Sequence, residues 1–458
     1  MWKEDKMEEE CGVFGIYNKN DYDSSRMTYY GLFALQHRGQ ESAGIAVNNN
    51  GTILYRKEMG MVTEAFDQVV LDYLQGHSAI GHVRYSTTGC SLRENAQPLV
   101  LKYTKGHMAV AHNGNLVNAN EIRESLEKQG TIFQTTTDSE VIAALLSRAR
   151  IKYNSIEDSL QEVMDEIKGA YSLLVMTPHK LIAARDPLGI RPLCIGKKED
   201  SYFFSSESCA FDSLGIEFIR DVEPGEIIIV DEKGLRSIFV KKRENKSALC
   251  VFEYIYFARP DSVIEGVEVY SARYKAGKIL ANEHSVDADV VVGVPDSGLS
   301  AAHGFSDESG IPIVDGFMKN RYVGRTFIQP SQELRELGVN LKLNPIRSQI
   351  KGKRVIMIDD SIVRGTTSKR IVQLLKNAGA KEVHVRISSP PVKFSCYYGI
   401  DTAERERLIA NRMTIEEIGK TIGADSLGYI SKEGLLETVK GTDKNFCAAC
   451  FDGIYPVK

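Results

Sequence analysis

Two adjacent acids, a glycine turn and a run of hydroxyls form the densest chemical signal in the chain. Residues 355–368 read VIMIDDSIVRGTTS. The β-branched run before Asp359 and Asp360 predicts a buried strand, and Arg364, Gly365, Thr366, Thr367 and Ser368 predict a turn into a helix. Backbone N–H groups at such a turn, the hydroxyls and the helix N-terminus together make a seat for a phosphate. The two carboxylates suit sugar hydroxyls or a hard cation such as Mg²⁺. A second unit of this kind, VVVGVP at 290–295 followed by Asp296, Ser297 and Gly298, suits a pyrophosphate and its metal, with Ser297 as the expected ligand. Cysteine supplies the other chemistry. Cys11 opens the apolar run CGVFGIY, and the polar knot His37, Arg38, Gly39, Gln40 and Glu41 marks the edge of a site. Cys447 and Cys450 form a Cys-x-x-Cys pair that Cys250 and Cys396 could complete. Spacing alone leaves zinc, redox chemistry and an iron–sulfur cluster open.

These residues need a scaffold. After the 359–368 loop, Ile371, Val372, Leu374, Leu375 and Ala378 recur at helical spacing, and Gly379 stands where a left-handed residue ends the helix. A parallel sheet of such strand, turn, helix units places both turns at the C-terminal ends of its strands. The basic stretch 318–353 reads as a loop, and beside a polyphosphate site as a lid. Residues 250–262, CVFEYIYFARPDS, read as an aromatic strand, and 270–284 as a helix. Earlier in the chain, strands are expected near 78–89, 108–118, 172–176, 181–184 and 226–231, with a helix over 155–168. Strand pairs flanked by helices suit two stacked sheets covered by helices. The charged run KKRENK at 241–246 is the expected boundary between two domains.

Composition narrows the class. A chain of 458 residues is too long for one ordinary core. Its net charge of −4, with dispersed lysines and arginines, argues against nucleic acid as a partner. No apolar run approaches the ~18 residues that a membrane span needs. The start, MWKEDKMEEE, is neither a secretory nor a transit signal, so a cytoplasmic location is expected. Eight scattered cysteines do not make a disulfide framework. Cys90, Cys194 and Cys209 read as packing residues.

As a set, the motifs resemble known families. The 355–368 stretch resembles the 5-phosphoribosyl-1-pyrophosphate (PRPP) loop of type I phosphoribosyltransferases. CGVFG at Cys11, QHRGQESAG, GHVRYST, AHNGNL and the Thr137 to Glu140 turn resemble the N-terminal-nucleophile glutaminases, from residue 11 to about 240. Together the two halves resemble the iron–sulfur branch of the amidophosphoribosyltransferases. That likeness implies an α/β and α+β fold of two domains. A helix/sheet/sheet/helix glutaminase over 11–240 precedes a parallel-sheet phosphoribosyltransferase over 247–458, with residues 1–10 a propeptide. It implies that PRPP, glutamine and water give 5-phosphoribosylamine, pyrophosphate and glutamate. Cys11 would be the nucleophile, with the freed α-amine, of pKa about 8, as its base. Asn113 and Gly114 would stabilise the oxyanion. Arg84, Thr87 and Asp138 would hold glutamine, although a surface ion pair would explain Arg84 and a helix cap Asp138. Asp359, Asp360 and the 364–368 loop would bind PRPP, and Ser297, Asp359 and Asp360 Mg²⁺. Cys250, Cys396, Cys447 and Cys450 would hold a structural 4Fe-4S cluster. Purine nucleotides as inhibitors and a homotetramer are further implications.

Two other classes share one half each. A hexosephosphate amidotransferase would lack the Asp359-Asp360 loop, and a PRPP-sensing repressor would carry a DNA-binding module in place of the glutaminase. If the α-amine of Cys11 is the base, active protein begins at Cys11. Intact-mass analysis of active protein should show loss of residues 1–10, and their retention in fully glutamine-active protein would reject the processing.

Overall fold

In the computed structural model the described residues are 11–20, 22–85, 91–240, 246–320, 343–442 and 444–457. The expected propeptide, Thr87, Cys90 and most of the expected lid lie outside them.

Alternation along the strands builds the first half. In Gly12–Tyr17, Val13 faces one way while Phe14 and Ile16 face the other, and all are buried. This strand is central in a seven-stranded sheet ordered Glu217–Asp221, Cys194–Lys198, Ser201–Ser205, Gly12–Tyr17, Ser78–Arg84, Ser42–Asn49, Thr52–Met59. A six-stranded sheet runs Gly234–Phe239, Glu226–Asp231, Leu181–Arg185, Gly169–Met176, Gly106–Leu116, Leu99–Tyr103. Val13 and Ile80 of the first sheet meet Ala109, Ala111, Leu174 and Ile228 of the second in one apolar layer. Helix Ser24–Ala34 covers the outer face of the first sheet, with Leu32 in the same cluster as Phe14 and Ile16. Helices Asp138–Lys152 and Ile156–Glu166 cover the second, placing Val141, Leu146, Leu160 and Val163 with Val110, Leu173 and Val175. The latter helix starts where Ser155 accepts a bond from Asp158 N at 3.0 Å and buries its Ile156, Leu160 and Val163 stripe. The layers are helix, sheet, sheet and helix.

The second half rests on a four-stranded parallel sheet, Val290–Gly293, Arg354–Asp359, Glu382–Ile387 and Ser426–Tyr429 in that order. Val290–Gly293 and residues 355–358 are continuously apolar because both faces are covered, while Glu382–Ile387 alternates Val383, Val385 and Ile387 with Glu382, His384 and Arg386. Val291, Ile356 and Ile358 pack in the cluster of Leu280, Ala302 and Phe305, from helices Val269–Glu283 and Leu299–Ser309. Val292, Val355 and Met357 pack with Ile371, Leu375 and Ile418, from helices Thr366–Asn377 and Ile415–Ile422. Gly379, with φ +95, follows the Thr366–Asn377 helix as expected.

Three readings change in detail. Residues 250–262 are not one strand. Only Leu249–Cys250 is extended, and a single π-helical turn, Glu253–Phe257, follows. The aromatic run looks like a strand, yet that turn buries Tyr254 and Phe257 together with the Glu253 carboxylate. Within the basic stretch, Phe317–Lys319 pairs antiparallel with Leu343–Pro345, and Arg347–Ile350 is a helical turn whose Ile350 is fully buried. Ile350 joins the core, while Met318 is exposed. Thr137, not Asp138, occupies the cap of its helix. Among the described residues no helix is long and apolar enough to cross a membrane.

Candidate active sites

Strand parity brings the first site together. Cys11 is in phase with Val13, Arg84 with Ile80, and Asn113 with Ala109 and Ala111, so all three side chains project toward the layer between the sheets. Cys11 is buried, and its Sγ donates to the Tyr85 carbonyl at 3.6 Å. Burial pushes its thiol up to about 11, against the pull of Arg84. Thiolate is therefore scarce at neutral pH without a base. Arg84 pairs with Glu41 at 2.8 Å and both are largely buried, so the polar knot expected at a site edge does reach it. Asp138 is buried at the first turn of its helix, where Oδ2 accepts from Leu116 N at 2.9 Å. The Nδ2 of Asn113 is buried with no hydrogen-bond acceptor among the described residues. A lone buried donor is costly unless something transient accepts from it. Beside it Gly114 has φ +145, and a Cβ there would lie 2.0 Å from the Ala170 carbonyl oxygen. Only glycine fits that approach. Thr87 lies outside the described residues.

The second site sits at the C-terminal edge of the parallel sheet. Strands Val290–Gly293 and Arg354–Asp359 are neighbours in register Gly293 to Ile358, so their two turns lie side by side. Across the gap Ser297 Oγ donates to Asp360 Oδ2, while Ser361 Oγ donates to Asp360 Oδ1 at 2.6 Å. Asp359 and Asp360 are fully buried, and Asp360 N donates to Asp359 Oδ1 at 3.0 Å. Gly365, with φ +85, turns the chain into helix Thr366–Asn377. Arg364 and Thr367 are half-buried there, Thr366 is exposed and Ser368 is buried. Lys319 pairs with Asp296 at the same edge.

The four remaining cysteines also converge. Cys250 and Cys447 are Cα partners in the two-residue parallel pairing of Leu249–Cys250 with Phe446–Cys447. Cys450 follows in the turn Ala449–Asp452, whose Cys450 carbonyl accepts from Lys393 N and Phe394 N at 2.9 and 3.0 Å, beside Cys396. Cys396 Sγ accepts from Tyr398 N at 3.3 Å. None is in a disulfide. Burial, and then the neighbouring thiols, push Cys450 well above its ordinary range. Burial pushes Cys447 up to about 12, with Cys396 adding to it. Neighbouring thiols so shifted stay protonated unless a bound cation compensates their charge. Among the described residues no three His, Cys, Asp or Glu side chains converge closely enough for a single ion. A set of four thiols is the donor chemistry of zinc and of iron–sulfur groups alike. Mg²⁺ keeps waters and takes one or two carboxylates plus substrate phosphate, so the Asp359 and Asp360 edge needs no preformed cage.

Sequence reasoning missed several partners of the first site. Gln97 brackets His112, with Oε1 accepting from its N–H at 2.8 Å and Nε2 donating to its carbonyl at 3.4 Å, one residue before Asn113. Arg38 Nε donates to the Cys11 carbonyl at 3.1 Å. Its carboxylate partners Glu207 and Glu253 lie far away in sequence. No periodicity signals such pairings.

The comparisons agree with this geometry. The Glutamine amidotransferase domain family matches residues 82–213, and the Phosphoribosyl transferase domain family matches 268–388. The amidophosphoribosyltransferase of Archaeoglobus fulgidus is 53% identical over 98% of each chain. That of Bacillus subtilis is 51% identical over 99% of this chain and 95% of its own. The solved structure of glutamine PRPP amidotransferase from B. subtilis complexed with ADP and GMP is 50% identical, covers 98% of both chains and superposes with a TM-score of 0.92.

Gly114 and Gly130 both have positive φ, yet a Cβ at Gly130 meets nothing within 4 Å. Urea unfolding should therefore show Gly114→Ala losing more stability than Gly130→Ala. The conformational part common to both is about 1–3 kcal/mol, and the carbonyl clash adds to it at Gly114 alone. Equal losses would reject the close packing of Gly114.

Proposed function

The chain belongs to the amidophosphoribosyltransferases, the enzymes that open purine synthesis, and on that premise we propose how its residues divide the reaction. The overall reaction converts PRPP, glutamine and water to 5-phosphoribosylamine, glutamate and pyrophosphate. One observation carries the first half: the buried Asn113 amide with no acceptor among the described residues. It is a donor held ready for charge that exists only during reaction.

With residues 1–10 removed, the α-amine of Cys11 takes the thiol proton, and Sγ attacks the side-chain amide carbon of glutamine. Asn113 Nδ2 and the Gly114 N–H stabilise the oxyanion. The α-amine then gives its proton to the departing ammonia, and water hydrolyses the thioester to glutamate. Arg84 binds the substrate α-carboxylate and Asp138 its α-ammonium, with Thr87 adding a hydroxyl. At the second site Arg364, Gly365, Thr366, Thr367 and Ser368 bind the 5-phosphate at the helix N-terminus. Asp359 and Asp360 hold the ribose hydroxyls and place negative charge beside the oxocarbenium character that develops at C1. Ammonia released at Cys11 passes within the protein to attack C1, and pyrophosphate leaves. Mg²⁺, for which Ser297, Asp359 and Asp360 are the ligands at hand, supplies charge neutralisation for the pyrophosphate when bound. Cys250, Cys396, Cys447 and Cys450 would hold a 4Fe-4S cluster that ties the C-terminal segment to the start of the second domain. Binding of purine nucleotides as inhibitors belongs to the same reading, since the B. subtilis structure contains ADP and GMP.

Two variants separate the half-reactions. Cys11→Ala should abolish synthesis from glutamine and leave synthesis from ammonium salts. Asp360→Asn should lower both, on the order of 10² or more, as loss of a charge-stabilising group does. If a folded Cys11→Ala protein made nothing from ammonia, the two sites would not be independent.

Metal analysis of anaerobically purified protein should find about four iron and four sulfide per chain, as a Cys₄ cubane requires. Zinc without iron would overturn that assignment.

A further inference from the structure

One carboxylate reaches both sides of the first site, and it comes from the second domain. Glu253 lies in the π-helical turn three residues after Cys250 and is fully buried. Its Oε2 and Oε1 accept from Arg38 Nη1 and Nη2, each at 2.9 Å, and Arg38 Nε holds the Cys11 carbonyl at 3.1 Å. That is the nucleophile arm. Arg191 Nη1 stands 3.6 Å from Glu253 Oε1, and Arg191 Nε donates to the Tyr398 carbonyl at 3.0 Å. Tyr398 leads into Gly399, whose φ is +101 and whose ideal Cβ would lie 3.1 Å from the Gly114 carbonyl carbon and 3.2 Å from Arg191 Nη2. The adjacent Asn115 Nδ2 donates to the Tyr397 carbonyl at 2.9 Å. The 397–399 turn is thus the rear wall of the strand that carries Asn113 and Gly114. That is the oxyanion arm.

We propose that Glu253 is a positioning residue for glutamine hydrolysis, setting the Cys11 main chain through Arg38 and the Gly114 main chain through Arg191 and the 397–399 turn. The inference rests on reading Cys11 as the nucleophile with Asn113 and Gly114 as its oxyanion donors. Glu253 touches neither substrate nor reacting atom. Its effect falls on the chemical step, where a small displacement of nucleophile from donor is amplified, and not on glutamine binding, which Arg84 and Asp138 govern. Glutamine in its place keeps the size but turns an amide NH₂ toward an arginine, so one arm is lost. Aspartate keeps the charge but is one methylene too short to hold both arms at these distances.

Kinetics of the full-length enzyme test this. Glu253→Gln should lower kcat for glutamine hydrolysis by about tenfold to a hundredfold, short of the 10²–10³ for removing an oxyanion donor outright. KM for glutamine and synthesis from ammonium salts should stay within about twofold of wild type. Glu253→Asp should recover part of kcat. A wild-type kcat in Glu253→Gln, or a loss borne by KM, would overturn the proposal, as would equal loss of glutamine hydrolysis and ammonia-dependent synthesis in a folded protein. Should Glu253→Gln not fold, Gly399→Ala decides, because its Cβ crowds the Gly114 carbonyl and Arg191 Nη2 in the oxyanion arm and leaves the Arg38–Glu253 pair of the nucleophile arm in place. It should show the same kcat loss at unchanged KM, and wild-type kcat there would overturn the proposal. Wild-type enzyme that released no glutamate from glutamine would instead overturn the reading of Cys11 itself.

Discussion

A buried cluster of four charges fastens the two halves of this enzyme. Arg38 and Arg191 face Glu207 and Glu253, and none of the four side chains has exposed surface. Burial alone would raise Glu207, but His37 and Arg38 overcome it and hold the carboxylate well below its usual range. Burial likewise opposes the charge on Arg38, and Glu253 and Glu207 overcome that. Such a cluster is tolerable because the charges balance and Arg38 is hydrogen-bonded to both carboxylates, with Arg191 adding a 3.6 Å contact to Glu253. Removing one member strands the others, at a cost of about 3–5 kcal/mol. The cluster therefore specifies a relative placement of the halves more than it stabilises them.

That placement matters because each active site is an edge feature of a rigid sheet. In the antiparallel sandwich, alternation sends every second side chain inward, and the inward row changes from apolar to chemical where Ala109 and Ala111 give way to Asn113. In the parallel sheet, helices cover both faces and leave only the C-terminal edge for ligands, which is where Asp359, Asp360 and Ser297 meet. Two kinds of sheet thus produce two kinds of site. The strand Leu249–Cys250 runs between them, with Ala248 N and Cys250 N donating to the Leu188 and Ile190 carbonyls of the first half.

The cysteines divide by the same logic of burial. Cys194 and Cys209 are buried in the apolar layers of the first half, where burial pushes both thiols up and keeps them inert. Cys250 and Cys450 are buried and Cys396 and Cys447 half-buried, and Cys250 and Cys447 are paired across two short strands.

The sequence by itself determined whatever depends on neighbours along the chain. The period-2 runs led to the strands, the strand, diacid and glycine turn at 355–368 to a helix starting at a sheet edge, and the Cys-x-x-Cys spacing to one short strand and turn that carry Cys447 and Cys450. Local rules failed at 250–262, where an aromatic run with strand propensity makes a π-helical turn because tertiary contacts bury the Glu253 carboxylate. They failed again at the end of the basic stretch, where Ile350 belongs to the core. Only the tertiary structure decided who meets whom across long separations: Arg38 with Glu253, 215 positions apart, Ser297 with Asp360, and Asn115 with the Tyr397 carbonyl. The physical reason is that a buried charge or donor has no preferred partner in sequence. It takes whichever complementary group the packing of the sheets delivers within about 3 Å, and that delivery is a property of the whole fold.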